Sequence, residues 1–419
     1  MGKIFKGIIL TILVSFFIFP AEFTFLPKLV NSKNILAAFG AVFYFYDCIW
    51  NGSFRMSKRT LIAGVLAVAF SLWCLYSVTT NGTNDMTYVS YWSSFVLWMF
   101  GAYAVYFVLR VTHDEVSLPL LIKYITIVGV SQCGIALLID NVAPVKQLVD
   151  SLFVGGEFYG RNNRLYGIGC ALDPAGCRFS VIQALIAHQV ATNRRLRDEN
   201  NKLSLYLIGF IIITVIGSMI SRTTLIGSVI GLGYISWSVV KMRQGGYITK
   251  DQVRLFLVFG FLLVFFVILS VGLYRTSIFF RENLRFGFEA FFNWAETGEF
   301  RTNSTDILNE MWIWPHDTRT WIIGSGKIGV FNWGTDIGYC NFILYSGIIG
   351  MVIFSVFFLY SHLSVINKFH HFSILSLILI ALTFIIWLKV MTDIFFIDAL
   401  LFCIDGDEES SETEAIQET

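Results

Sequence analysis

Charge is what this sequence has least of. Only 14% of its 419 residues are Asp, Glu, Lys or Arg, against 56% hydrophobic, and the mean hydropathy is +0.68. A soluble domain runs roughly a quarter charged, so a water-soluble fold is excluded and most of this surface must face lipid. The charge that is present balances, with 30 Lys and Arg against 29 Asp and Glu for a net +1. That leaves no basic excess to hold nucleic acid and no acidic excess to hold a basic partner. Proline is scarce too: Pro20, Pro27, Pro119, Pro144, Pro174 and Pro315 are all there are. Each falls between apolar runs or at the end of one, as it must where lipid offers a broken backbone no other partner. The seven cysteines are scattered, with no CxxC pair and no Cys/His cluster at metal-ligand spacing, so a thiolate metal site is not expected. Cys170 and Cys177 share one connection, but spacing alone does not pair them.

Long apolar runs are what the chain has in abundance. A helix rises about 1.5 Å per residue through a hydrocarbon layer of about 30 Å, so runs near 20 residues are candidate spans. They fall at Ile4 to Phe19, Ile35 to Trp50, Leu61 to Val78, Val89 to Leu109, Leu120 to Ile139, Phe179 to Ala191, Leu203 to Ile220, Leu225 to Val240, Val253 to Leu273 and Tyr339 to Tyr360. The stretch from Phe372 to Ile404 is long enough for one span with a re-entrant piece, or for two short ones. The expected fold is therefore an all-α polytopic integral membrane protein of about 11 to 12 transmembrane helices, occupying residues 1–404. The remaining 405–419 is an acidic tail without aromatics, expected to be disordered.

The basic residues set a direction. Lys3 and Lys6, Arg55 with Lys58 and Arg59, Arg110, Arg194 with Arg195, Arg197 and Lys202, Lys241 with Arg243 and Lys250, and Lys368 occupy alternate connections. The positive-inside rule puts these in the cytoplasm. Two large connections, 141–178 and 274–338, then face outward, together with the tight turn from Ser221 to Thr224.

Sorted this way, nine of the 17 Arg lie outside (Arg161, Arg164, Arg178, Arg222, Arg275, Arg281, Arg285, Arg301 and Arg319), while the two large loops hold only Lys146 and Lys327. Guanidinium grips phosphate through a planar fork and stays charged when partly desolvated, so this bias suits a lipid diphosphate. Translocation of long loops regardless of charge accounts for it equally well. Arg222 is harder to set aside, because it sits in a four-residue connection at the membrane surface, where a charge is costly unless used. His316 is the single outer imidazole, and Glu289, Asp306, Glu310, Asp317 and Asp336 are candidate proton acceptors. Five of 11 Trp (Trp294, Trp312, Trp314, Trp321 and Trp333) crowd the second loop, as sugar-stacking faces or headgroup anchors. Gly324, Gly326 and Gly329 spell GxGxxG, but without a preceding strand the motif reads as a flexible turn.

Three segments in order resemble the O-antigen polymerase and O-antigen ligase superfamily of bacterial surface polysaccharide enzymes. They are Arg164-Leu-Tyr-Gly167 followed by Asp173-Pro174-Ala175-Gly176; then Ser221-Arg222-Thr223; then Leu308 through Pro315, Ile323 to Gly326, Thr335-Asp336-Ile337-Gly338-Tyr339 and Ser346 to Gly350. Where ligases of the family carry His-Asn this chain has Asp336-Ile337, which favours a polymerase. The R-x10-G repeats of some polymerases are not found.

The resemblance implies a metal-independent glycosyltransferase with no cofactor, in the cytoplasmic membrane with its site facing outside. It would join undecaprenyl-diphosphate-linked oligosaccharide repeat units for O-antigen, capsule or exopolysaccharide, alongside a chain-length regulator and a flippase. Arg164, Arg222 and Arg319, with Arg161 and Arg285, are expected to bind the diphosphate. Asp336 is expected to be the base, followed by His316, although Asp336 also fits a helix N-cap. The alternatives are a ligase of the same fold and, less in keeping with spans nearly free of charge, a transporter or flippase for the lipid-linked unit.

Overall fold

The computed structural model describes residues 2–27, 30–50, 52, 56–113, 116–156, 164–193, 196–197, 199–241, 250–365 and 372–404. Arg161, the 405–419 tail, and Arg55, Arg194, Arg195, Arg243, Lys368, His370 and His371 lie outside them. The described chain is all-helical, with no strand beyond three isolated β-bridges.

In chain order the helices are α1 (Gly2–Ile18), α2 (Ser32–Trp50), α3 (Lys58–Thr80), α4 (Tyr91–Thr112), α5 (Leu118–Asn141), α6 (Ala143–Leu152), α7 (Leu172–Thr192) and α8 (Asn200–Ile212). The last continues through a π-helical turn (Ile213–Gly217) into a final turn (Ser218–Ile220). Then come α9 (Thr224–Lys241), α10 (Lys250–Thr276), α11 (Ile278–Gly287), α12 (Glu289–Thr297), α13 (Asn303–Glu310), α14 (Thr318–Ile323), α15 (Gly329–Asn332), α16 (Gly338–Ser364), α17 (Phe372–Trp387) and α18 (Phe395–Ile404). Among the described residues seven are long and apolar enough to cross a membrane: α3, α4, α5, α8 with its continuation, α9, α10 and α16. Three more apolar helices, α1, α17 and α18, are shorter. The chain is thus a multi-pass membrane protein, and the stretch after Phe372 resolves into two short helices.

The two large connections are themselves helical. The connection 274–338 folds into α11 to α15; α11 and α14 start on side-chain caps, Ser277 accepting from the Phe280 amide and Asp317 from the Thr320 amide. Similarly, the connection 141–178 contains α6 and the first turns of α7. Short polar helices with caps carry no run of apolar residues, and so escape a hydropathy reading.

The chain divides into two compact units, Met1–Asn31 with Ser117–Thr302, and Ser32–Val116 with Asn303–Thr419. In the first, α7 is buried almost throughout from Ala175 onward. Its Gln183 amide donates to Thr214 Oγ1 on the π-turn (2.8 Å) and to Ser228 Oγ on α9 (2.7 Å), tying three helices together where no water is at hand. By contrast, only 11% of the α10 span is buried, so most of this helix is left uncovered by the rest of the chain.

In the second unit, Phe70, Phe342, Phe354 and Trp387 form the aromatic centre, with Phe70 stacked on Phe354 at 4.3 Å. Helix α16 breaks at Gly347 (φ 67, ψ −177), a backbone position open to glycine and blocked to other residues by the Ile322–Ile323 backbone of α14. The carbonyls released by the break are all taken. The Ser325 amide bonds Leu344 O (2.7 Å), the Gly326 amide and Ser77 Oγ bond Tyr345 O (3.0 and 2.9 Å), and Trp73 Nε1 bonds Ser346 O (2.7 Å). The glycine-rich turn at Gly324 and Gly326, both at positive φ, exists to reach this break. Its GxGxxG spelling follows no strand, as expected. Cys170 and Cys177 are both buried and are not joined in a disulfide.

Candidate functional site

The site lies in the first unit, where the start of α7 meets the turn between α8 and α9. Approaching α7, the chain turns at Gly169 (φ 63) and again at Leu172 (φ 54), which is the one non-glycine at positive φ among the described residues. A left-handed leucine costs roughly 1–2 kcal/mol, and such strain persists where surrounding structure enforces it, often at working sites. Here it aims Asp173 across to the neighbouring turn. Asp173 Oδ1 accepts from Ser221 Oγ at 2.9 Å and from Thr223 Oγ1 at 2.6 Å, clamping the residues on either side of Arg222. Gly176 permits this approach, since a Cβ there would sit 2.6 Å from Ser221 Oγ and 2.7 Å from Thr223 Cβ. One turn on, Ser180 Oγ bonds Thr223 O (2.9 Å) and accepts from the Gly227 amide (3.1 Å). The π-turn just before Ser221 widens α8 at the same level, a feature that recurs at functional sites.

With its turn fixed, Arg222 reaches α11 and α12. Its Nε donates to Phe286 O (2.8 Å), Nη2 lies 2.5 Å from Glu289 Oε2, and the guanidinium sits 4.2 Å over the Phe286 ring. Arg164 stands over the same ring at 5.3 Å. Two guanidinium groups therefore share one aromatic face region, a cation–π arrangement worth more as water is withdrawn. Burial pulls the Arg222 guanidinium below its usual range; Glu289 opposes that shift, Arg164 adds to it and Asp173 opposes it. The group remains a cation throughout the working range. Glu289 opens α12, where the helix dipole favours a carboxylate.

Of the residues singled out in the sequence, the structure brings together Arg164 and Arg222. Arg285, in the same unit, pairs instead with Glu296 (2.5 Å) and stacks over Phe292, and the hydrogen bond to Glu296 holds its guanidinium above its usual range. Asp336, His316 and Arg319 belong to the second unit. All three are exposed, and Arg319 donates to Thr80 O (3.1 Å). The N-cap of α16 falls on Ile337 and carries no side-chain bond, so Asp336 does not cap this helix. Near His316, Trp312, Trp314 and Trp321 form a row with centroids 5.7 Å apart, the last two stacked at 15°.

In the sequence Glu289 is one of five candidate proton acceptors, with nothing that marks it as a partner of Arg222, and Phe286 is not distinguished at all. The signal that finds them is the contact with Arg222, which depends on the fold of α11 and α12. Among the described residues no group of three or more His, Cys, Asp or Glu is placed to hold a metal.

What the arrangement offers chemically is two guanidinium groups at one ring, Arg222 paired with Glu289 and Arg164 beside it, at the end of apolar helices. Comparison of the chain with protein-family models, with curated proteins and with solved structures finds no match.

Proposed function

We propose that the protein is a polysaccharide polymerase that joins oligosaccharide repeat units carried on undecaprenyl diphosphate at the outer face of the cytoplasmic membrane. The observation that carries this reading is the pair Arg164 and Arg222 on Phe286, with the Arg222 turn held by Asp173 through Ser221 and Thr223 and the Arg222 guanidinium held by Glu289. Glu289 already pairs with Arg222, while Arg164 brings a second guanidinium to the same ring, and a planar guanidinium suits phosphate oxygens. A lipid diphosphate is such a ligand, and the positive-inside rule assigns the Arg222 turn to the outer side.

In the transfer, a hydroxyl of the acceptor sugar attacks the anomeric carbon of the donor glycan as the bond from that carbon to the diphosphate oxygen breaks. The diphosphate departs with the bonding electron pair, and Arg164 and Arg222 balance the charge it gains. The hydroxyl proton passes to a carboxylate or imidazole acting as general base. Glu289 and Asp173 are positioning residues that hold the Arg222 fork.

A transporter is the second reading, favoured by the break in α16 at Gly347. In transporters, such breaks leave carbonyls to coordinate cargo, whereas here the protein's own donors occupy those of Leu344, Tyr345 and Ser346.

The test is a gel of surface polysaccharide from the native host with the gene intact, deleted, or carrying Arg222→Lys. A polymerase predicts loss of long chains with single repeat units still reaching the surface, and shortened chains for the lysine variant, which keeps the charge and loses the fork. Full-length polymer left on its carrier lipid would establish the ligase instead, and an unchanged profile would defeat both.

A further inference from the structure

A second feature of the first unit lies between α8 and α10. Along one face of α10, Phe259, Leu263, Val267, Ser270 and Tyr274 line a cavity of about 540 Å³, walled opposite by Phe210 and the π-turn residues Thr214 and Val215. Of its sixteen lining residues only Thr214, Ser270 and Tyr274 carry a polar side-chain atom, and Thr214 Oγ1 is turned back to Phe210 O (2.9 Å). The lining on α10 runs from Phe259 to Tyr274, about 22 Å at 1.5 Å per residue. A cleft this long, narrow and apolar, set in spans where water is absent, fits a hydrocarbon chain better than any compact ligand.

One end of the cleft differs from the other. At Tyr274 the roof is made by α11 and α12 through Leu284, Phe288 and Phe292, with Tyr274 stacked on Phe292 at 5.4 Å. Arg281 stands over the Tyr274 ring and Arg285 over the Phe292 ring. The same stretch of α11 and α12 delivers Phe286 and Glu289 to Arg222. Leu284 and Phe288 thus face hydrocarbon while their neighbours in sequence face the guanidinium pair. An apolar trough that ends in cations matches a ligand with a long apolar chain and an anionic head.

We propose that this cleft holds the carrier-proximal isoprene units of the lipid-linked donor, so that the chain enters along α10 and its diphosphate arrives at Arg164 and Arg222. The inference rests on reading that pair as the diphosphate site, and assigns to α10 and the π-turn the recognition of the isoprenoid. Thr214 and Val215 of the π-turn form part of the wall opposite α10.

The test uses the full-length protein in nanodiscs of phosphatidylglycerol and phosphatidylcholine, with radiolabelled undecaprenyl diphosphate bearing a diazirine in its first isoprene units, and inorganic diphosphate as a separate headgroup probe. Photolysis is expected to label the Leu263, Val267 and Ser270 face of α10. Ser270→Trp fills the cleft and is expected to weaken binding of the long-chain probe about ten-fold while leaving inorganic diphosphate binding unchanged. Ile268→Trp, on the exposed face of the same helix, controls for a merely misfolded span and is expected to bind as the parent does. Long-chain binding that survives Ser270→Trp, labelling elsewhere, or equal competition by phosphatidylglycerol would overturn the cleft assignment and leave the diphosphate site standing. Binding of both probes that is indifferent to Arg222→Ala would instead overturn the diphosphate reading, whatever the labelling of α10.

Discussion

Arg222 and Glu289 approach to 2.5 Å with side chains only 16% and 14% exposed, although 67 positions separate them and α9, α10 and α11 intervene. Glu289 neutralises part of the charge that burial penalises, and fixes the fork against Phe286. Replacing Glu289 with Gln keeps the shape and removes the charge. The expected cost in stability is about 1–3 kcal/mol, in the range for a buried polar group losing its partner, with shortened polysaccharide chains. Because Glu289 positions the fork and does not contact the reacting atoms, Glu289→Gln should raise KM for the lipid-linked donor more than it lowers kcat. A variant whose kcat falls and whose KM is unchanged would make Glu289 part of the chemistry instead.

The strained turn before α7 gives a second expectation. Leu172 at φ 54 holds a conformation natural to glycine. Leu172→Gly should therefore retain chain-length distribution and lose little stability, relief of strain offsetting the side chain it removes. Leu172→Ile, β-branched and poorly suited to positive φ, should lose activity by misaiming Asp173. Thermal unfolding in detergent together with the polysaccharide profile separates the two, and equal behaviour of both variants would show that the turn does not set Asp173.

The sequence contains the beginning of this site and not its completion. Ser221-Arg222-Thr223 stands out because a charge in so short a connection between apolar runs is costly wherever it faces. Arg164 stands out with it through the motif resemblance. Their partners do not, because Phe286 and Glu289 acquire meaning only when α11 folds back along the end of α8, a long-range event with no local signature. The same limit explains the spans. Phe179 to Ala191 and Val253 to Leu273 read alike as apolar runs, yet the first is buried in protein almost throughout and the second is left mostly uncovered by the chain. Hydropathy reports that a residue avoids water without saying what replaces it. Asp336 shows the converse: it occupies a motif position legible in the sequence, while the structure leaves it exposed and puts the N-cap position of α16 at Ile337.

Acid should loosen α14. The Thr320 amide donates to the Asp317 carboxylate at the start of this helix (2.8 Å), and that bond holds the carboxyl below its ordinary range. A depressed carboxyl contributes stability in full above its unfolded value and loses it as pH falls through the lower folded one. Amide exchange at Thr320 to Ile323 should therefore be constant near neutrality and accelerate, relative to the intrinsic rate, only below the ordinary carboxylate range. Asp317→Asn, which keeps an accepting oxygen without the charge, should abolish that pH dependence. Acceleration that persists in Asp317→Asn would assign it to another group.

The break at Gly347 supplies the sharpest mutational contrast in the second unit. A side chain at this position would combine an unfavourable φ of 67 with a clash against the Ile322 and Ile323 backbone. The Cβ cannot be accommodated by turning a rotamer, because the obstruction is main chain. Gly347→Ala must therefore either push α14 away or straighten α16, and both break the bonds from Ser325 and Gly326 to the released carbonyls. Unsatisfied carbonyls in a buried setting each cost about 1–3 kcal/mol, so the expected result is a protein that reaches the membrane at much reduced level. Gly350, three residues on, has regular helical geometry but would place its Cβ against the Ser346 side chain and 2.9 Å from Trp73 Cδ1; Ser346→Gly removes the closer clash and leaves only the Trp73 ring edge to shift. The double variant Gly350→Ala with Ser346→Gly should accumulate better than Gly350→Ala alone, whereas no rescue by Ser346→Gly is expected for Gly347→Ala. Membrane abundance of the four proteins, read by immunoblot against the parent, decides between a break fixed by backbone contact and one that tolerates repacking; rescue of Gly347→Ala would establish the latter.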